Sequence, residues 1–207
     1  MKSLGLVPCE AERRWDHIGA VIVDASLQPR TTYATVVLPR VRDVIAQWPE
    51  AVVLSGFRRR LDTDDLAGFL RWSERSRKLT VITELTATLG ELGIETVHEL
   101  ADCYDGSDCE LQTRRALRRV KGVGPKTVDY IAILVGSNRC VAVDRHVAAF
   151  VRAAGVGSGG GYDAIKALVV EAASELGCTA GALDAAIWKY MSDSDRRSSP
   201  GHYISAR

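Results

Sequence analysis

Six basic side chains surround a glycine turn in residues 112–126: Arg114, Arg115, Arg118, Arg119, Lys121 and Lys126, with no acid among them. The turn is Lys121-Gly122-Val123-Gly124-Pro125, followed directly by Lys126 and Thr127. Glycines on both sides of Val123 let the chain reverse tightly, and Pro125 fixes a φ angle that suits a first helical turn. Backbone N–H groups at such a turn, beside the partially positive end of a helix, can bind an anion such as a phosphate oxygen. A glycine turn alone says little. With its basic flank it reads as a grip on a nucleic-acid backbone. Gly122, Val123 and Gly124 then supply N–H groups to one phosphate whatever the base sequence, with Arg118 and Lys121 beside them. Thr127 either adds a hydroxyl or caps the helix start.

Further on, Asp144 follows the apolar segment Val141-Ala142-Val143 and opens a helix at Arg145-His146-Val147. By local sequence it is an ordinary N-cap. The wider pattern, KGVGPKTVDYIAIL followed by VAVDRHV, resembles the helix-hairpin-helix and downstream aspartate of the HhH-GPD superfamily of base-excision DNA glycosylases, which contains endonuclease III and 8-oxoguanine glycosylase. In the lyase-competent members a lysine follows the hairpin directly, and the aspartate comes one helix and one loop later. Lys126 and Asp144 fit, 18 positions apart. The matching motifs cover about a sixth of the chain. Lys121 departs from the family, which commonly has proline there; this changes hairpin stiffness rather than chemistry.

The resemblance implies a concrete mechanism. A base must leave the stack before its bond to C1′ can be attacked, so the nucleotide is turned out into a pocket. Lys126 is then the nucleophile that displaces the base and forms a Schiff base leading to strand cleavage. Lowering a lysine from about 10.4 to about 7 requires roughly three units, on the order of 4 kcal/mol; burial, the positive helix end and neighbouring arginines all push that way. The alternative for Lys126 is a phosphate contact. Asp144 is the carboxylate that steadies positive charge on the sugar, and it can cap its helix at the same time. His146 takes the place of the family's histidine, as a positioning or phosphate contact or as an interior histidine. Gln28, in Ser26-Leu27-Gln28-Pro29, stands where relatives place a polar residue that fills the gap left by the extruded nucleotide; it is equally a turn residue.

The totals frame these motifs. The chain has 207 residues, 46% hydrophobic and 26% charged, with a formal net charge of only +1. That is an ordinary globular composition, long enough for one sizeable core or two small lobes. Charge is segregated instead: residues 95–110 carry six acids and no Lys or Arg, immediately before the basic window. Five scattered cysteines without a CxxC, and no secretory or transmembrane pattern, predict free thiols in a reducing cytoplasm, in association with the nucleoid through DNA. No cysteine follows Cys178, so the iron–sulfur loop of many endonuclease III relatives is not expected, and the four histidines lack metal-ligand spacing. The reading is therefore a protein without metal or cofactor, a monomer, whose partner is double-stranded DNA carrying a damaged or modified base.

Helical periodicity is expected at 11–25, 33–48 with Pro39 in its middle, 64–72, 78–92, 95–104, the two helices about the glycine turn, 162–176 and 180–191. A flexible glycine run at 157–161 and a polar tail from Ser192 complete the pattern. No alternating strand pair is visible, so the fold class is all-α, with about ten helices. The resemblance implies the two-lobed glycosylase fold with a DNA-binding cleft: a helical bundle over 28–135 that includes the helix-hairpin-helix at about 112–135, and a second lobe from 1–27 and 136–207 that carries Asp144. Two other functions share these motifs: a monofunctional glycosylase in which Lys126 only binds phosphate, and a non-catalytic helix-hairpin-helix module that binds DNA.

Overall fold

The computed structural model describes residue 8 and residues 14–104, 108–155 and 160–198. Cys9, most of the turn at 105–108, the glycine run at 157–159, His202 and the tail from 199 lie outside the described residues. Every regular element among the described residues is helical, so the fold class is all-α. The chain divides into two compact units with a sequence boundary between Ala142 and Val143.

The larger unit is organised around α1, Ile18–Leu27, every residue of which is buried. Its neighbours are α2 (Leu38–Gln47), α3 (Leu54–Thr63), α5 (Arg77–Glu91), α8 (Pro125–Leu134) and the 3-10 turn Pro49–Val52. A helix apolar on all sides must be enclosed. Residues 14–27, expected in the second lobe, belong instead with the larger unit, because α1 is its central helix, while residue 8 falls with the smaller unit. The helix starts at Ile18 rather than Ala11, since His17 caps it. The His17 Nδ1 accepts the Ala20 amide at 3.2 Å while Nε2 lies 3.1 Å from the Trp48 carbonyl, which places the proton on Nε2 of a neutral ring. Burial lowers the pKa of His17 and favours that neutral form.

Pro39 divides the helix expected over 33–48. A π-helical turn at Tyr33–Val37 precedes α2, which carries Pro39 in its first turn, where a missing N–H leaves no ladder bond broken. The structure adds α3, which the periodicity reading omits. Leu54 and Phe57 face the core, while Arg58 and Arg59 are exposed. Gly56 permits the packing: a Cβ there would stand 1.9 Å from the Glu50 carbonyl oxygen. The short α4, Leu66–Leu70, ends sooner than expected at Arg71, which adopts φ 49°. Arg40 donates to the carbonyls of Leu70 and Arg71 and so satisfies that terminus.

The acidic run resolves into local helix chemistry. Thr96 and Glu99 form a reciprocal capping box on α6, Val97–Asp102. Asp108 and Glu110 occupy the first turn of α7, Asp108–Arg119, and Arg118 and Arg119 its last, so the charge segregation follows the helix dipole. Cys103 and Cys109 are joined as a disulfide, which corrects the expectation of free thiols for this pair; the end of α6 and the start of α7 bring their Cα atoms to 5.1 Å. Cys140 and Cys178 are free.

The smaller unit contains α9 (Arg145–Ala153), α10 (Tyr162–Glu175) and α11 (Ala180–Ser198), with α9 and α10 both packed on α11. The last helix continues past the expected end at Met191. Among the described residues no helix is long and apolar enough to cross a membrane, and no group of three or more His, Cys, Asp or Glu side chains could hold a metal ion.

Candidate functional site

The glycine turn joins α7 to α8, and its interior hydrogen bonds decide which amides face outward. Val123 is buried, and its N–H donates to the Val120 carbonyl at 3.0 Å, so this amide is not open to a phosphate as the sequence suggested. The amides of Gly122 and Gly124 have no partner among the described residues. Gly124 is the N-cap of α8, and its carbonyl accepts from Thr127 and Val128 at 3.1 and 3.2 Å. Thr127 is buried in the first turn. Two unpartnered amides therefore stand next to the positive end of a ten-residue helix.

Cations gather around them. Arg118 and Lys121 are exposed, and the Arg118 Nη1 lies 4.0 Å from where a Cβ on Gly124 would stand. Arg77, on α5, reaches the turn from the side, its Nε 3.5 Å from the Lys121 carbonyl. Arg77 lies 44 positions before Lys121 in the sequence; packing brings it to the turn. Gly122 has φ 103°, and a Cβ there would meet Val81 Cγ2 at 3.3 Å. Gly122→Ala should therefore destabilise the protein by about 1–2 kcal/mol, measured by urea unfolding.

Lys126, the second residue of α8, is half-buried. Its Nζ donates to Oε1 of Gln28, the C-cap residue of α1, so two expected site residues 98 positions apart meet. The Tyr130 ring, one turn along α8, lies with its centroid 4.5 Å from the same Nζ. Tyr130 in turn donates its hydroxyl to Asp24 Oδ1 at 3.0 Å. Asp24 Oδ2 accepts from Trp15 Nε1 at 2.9 Å and from the Tyr33 hydroxyl at 3.0 Å. Asp24 is 0% exposed. Burial pushes its pKa up, while the three hydrogen bonds and the Lys126 charge pull against that shift. Lys78 of α5 fixes the end of α1 nearby: its Nζ donates to the carbonyls of Leu27 and Pro29 at 2.6 and 2.7 Å and to the Thr31 hydroxyl.

Asp24, Tyr33 and Tyr130 were not singled out in the sequence. One signal was available. Asp24 is an acid inside an otherwise apolar helical run, four residues before Gln28 and hence on its face.

In the smaller unit Asp144 is the N-cap of α9, its Oδ1 accepting the amides of His146 and Val147 at 2.8 and 3.0 Å. Oδ2 has no partner among the described residues. Capping thus uses one oxygen and leaves the other open. His146 is buried, edge-on to Trp188 at a centroid distance of 6.3 Å, and accepts from Arg145 Nε at 3.3 Å. This is the interior placement of the two foreseen for it.

One member of the basic window turns inward. Arg114 donates to Glu110 and to Asp129 Oδ1, each at 2.7 Å, and to Cys140 Sγ at 3.2 Å, with its guanidinium 5.2 Å from the centre of the Tyr104 ring. It binds α7 to α8 and is not part of the cationic surface at the turn. No curated protein and no solved structure matches the chain. A family model does match it, over residues 3–192, and the chain belongs to that family, described as a domain of unknown function (DUF8548).

Proposed function

We propose that this protein is a DNA glycosylase with an associated AP lyase activity, acting on a damaged or modified base in double-stranded DNA. The observation that carries the reading is the position of Lys126. Its amine follows directly on a turn with two unpartnered glycine amides, flanked by Arg77, Arg118 and Lys121. In this reading α7, the turn and α8 form the helix-hairpin-helix that grips one phosphate, and the amine next to it reaches the adjoining sugar.

The chemistry follows from the two reactive groups. The neutral Lys126 amine bonds to C1′ as the bond from C1′ to the base breaks, and the base leaves with the bonding pair and takes up a proton. The sugar ring then opens as the C1′–O4′ bond breaks and O4′ takes up a proton, giving a protonated imine, and removal of a C2′ proton expels the 3′ phosphate with its bonding pair. The open Oδ2 of Asp144 is assigned the positive charge that develops on the sugar.

One observation favours a second reading. Gln28 and the Tyr130 ring both stabilise the ammonium form of Lys126, which is not nucleophilic. On that basis the protein would be a monofunctional glycosylase that uses Lys126 to hold phosphate. Borohydride trapping separates the two. Wild type and Lys126→Ala are incubated with labelled duplexes, each carrying one candidate lesion or an abasic site. A covalent adduct formed by wild type and absent in Lys126→Ala supports the lyase. Base release without an adduct supports the monofunctional enzyme, and neither product on any duplex leaves a DNA-binding module.

A further inference from the structure

Asp24 has no role in the reaction as drawn, yet it is the most completely buried acid of the larger unit and lies at the centre of a built cluster. Three donors from three parts of the chain converge on it: Trp15 ahead of α1, Tyr33 in the π-helical turn and Tyr130 in α8. A carboxyl group surrounded by donors is bonded as the ionised form. Through Tyr130 the cluster reaches Lys126, because the same side chain that donates to Asp24 places its ring 4.5 Å from Nζ. Gln28, which accepts from Nζ, leaves α1 one turn after Asp24.

We propose that Asp24 is a positioning residue for Lys126: its buried carboxylate anchors the Tyr130 ring against the amine and supplies the negative charge that holds this amine in its ammonium form. The proposal rests on the glycosylase reading for its catalytic consequence and on geometry for the rest. The groups around Asp24 are few. Tyr33 and Tyr130 are its titratable hydrogen-bond partners, and Lys126 is the cation whose charge is felt at its carboxyl. Lys78, from α5, is committed to the carbonyls at the end of α1, and His17, at the other end, is neutral and bonded to Trp48. The elements α2 and α3 bring apolar residues such as Val41, Val44 and Phe57 into the same core. A fixed negative charge in apolar surroundings acts strongly on a nearby amine.

Two consequences distinguish this role from a structural one. Trapping requires the neutral amine, so its rate rises with pH through the pKa of Lys126. Asp24→Asn removes the charge while keeping one oxygen to accept from both Trp15 and Tyr33, and it should move that limb down by about one pH unit. Below both limbs the variant then traps about tenfold faster relative to its own plateau. Tyr130→Phe keeps the ring and the charge and loses only the hydroxyl that anchors the ring, so its limb should stay near the wild-type position while its plateau rate falls. Loss of rate at every pH with an unmoved limb in Asp24→Asn would overturn the proposal.

The amine is also titrated without any substrate, by NMR of protein reductively methylated with ¹³C, the Lys126 signal being assigned by its absence in Lys126→Arg. The same downward shift is expected in Asp24→Asn, and an unchanged value overturns the proposal. If Asp24→Asn does not fold, wild type decides: the Lys126 signal should show a second inflection as Asp24 titrates, above the ordinary carboxylate range. A single inflection overturns the proposal. Absence of any trapped adduct in wild type removes the lyase reading alone, since the titration still reports whether Asp24 governs the amine.

Discussion

Asp144→Asn should lose about 10²–10³ in the rate of base release while unfolding at the wild-type urea concentration. The two halves of that expectation come from the two oxygens. Oδ1 caps α9 through the amides of His146 and Val147, and asparagine caps a helix about as well as aspartate does. Oδ2 is open, and only the charged carboxylate can oppose positive charge on a sugar. Asp144→Ala is the companion variant. It should lose the same activity and about 1 kcal/mol of stability as well. The measurement is single-turnover base release, with urea unfolding in parallel. If Asp144→Asn released base at the wild-type rate, Asp144 would be a cap and nothing more, and the carboxylate of the proposed reaction would have to be sought elsewhere.

Arg114→Ala should destabilise the protein by about 3–5 kcal/mol, the largest effect expected of any single exposed-looking residue in the basic window. The guanidinium bonds Glu110 within α7 and Asp129 on α8, and the Asp129 side chain is 3% exposed. Its removal leaves a carboxylate buried without the cation that faces it. Burial alone would lower the pKa of Arg114, but the hydrogen bonds to Asp129 and Glu110 outweigh it and raise the pKa, so the charge persists at every accessible pH. Arg114→Lys should recover little, because one ammonium cannot reproduce a fork that bonds two carboxylates and the Cys140 sulfur at once. Arg118→Ala serves as the contrast. It lies one turn further along α7 and is exposed, so it should unfold within about 0.5 kcal/mol of wild type. Urea unfolding of the three variants checks the ranking. Equal losses at 114 and 118 would mean that solvent screens the Arg114 pairs far more than their burial implies.

Two neighbouring arginines, Arg114 and Arg118, thus carry different physics under one composition. In the sequence, Arg114 and Arg118 are indistinguishable members of a basic run. Four positions apart, the two share a face of α7, with Arg118 one turn nearer the glycine turn, and only the position of α8 shows that Arg114 meets Asp129 there. Similarly, Val123 was expected to offer its amide to a phosphate together with its two glycines. The turn closes a hydrogen bond from Val123 to Val120, and only the glycine amides remain open. The disulfide between Cys103 and Cys109 was also not legible, since two cysteines six positions apart in sequence are compatible with many distances until the ends of α6 and α7 are placed.

The amino-acid sequence by itself determined the helical class, the glycine turn with Pro125 at the head of α8, the adjacency of Lys126 to that turn, and the cap that Asp144 places on α9. These features depend on neighbours within about one helical turn, and hydrophobic period, φ preferences and capping chemistry express them locally. The tertiary structure decided what surrounds the amine. Gln28 and Lys126, the Asp24 cluster, and Arg77 beside Gly122 are contacts between segments tens of residues apart, set by how α1, α5 and α8 pack rather than by any spacing along the chain. Asp24 shows the division most clearly. Its oddity as an acid in an apolar helix is written in the sequence, whereas its partners exist only once three separate segments have enclosed it.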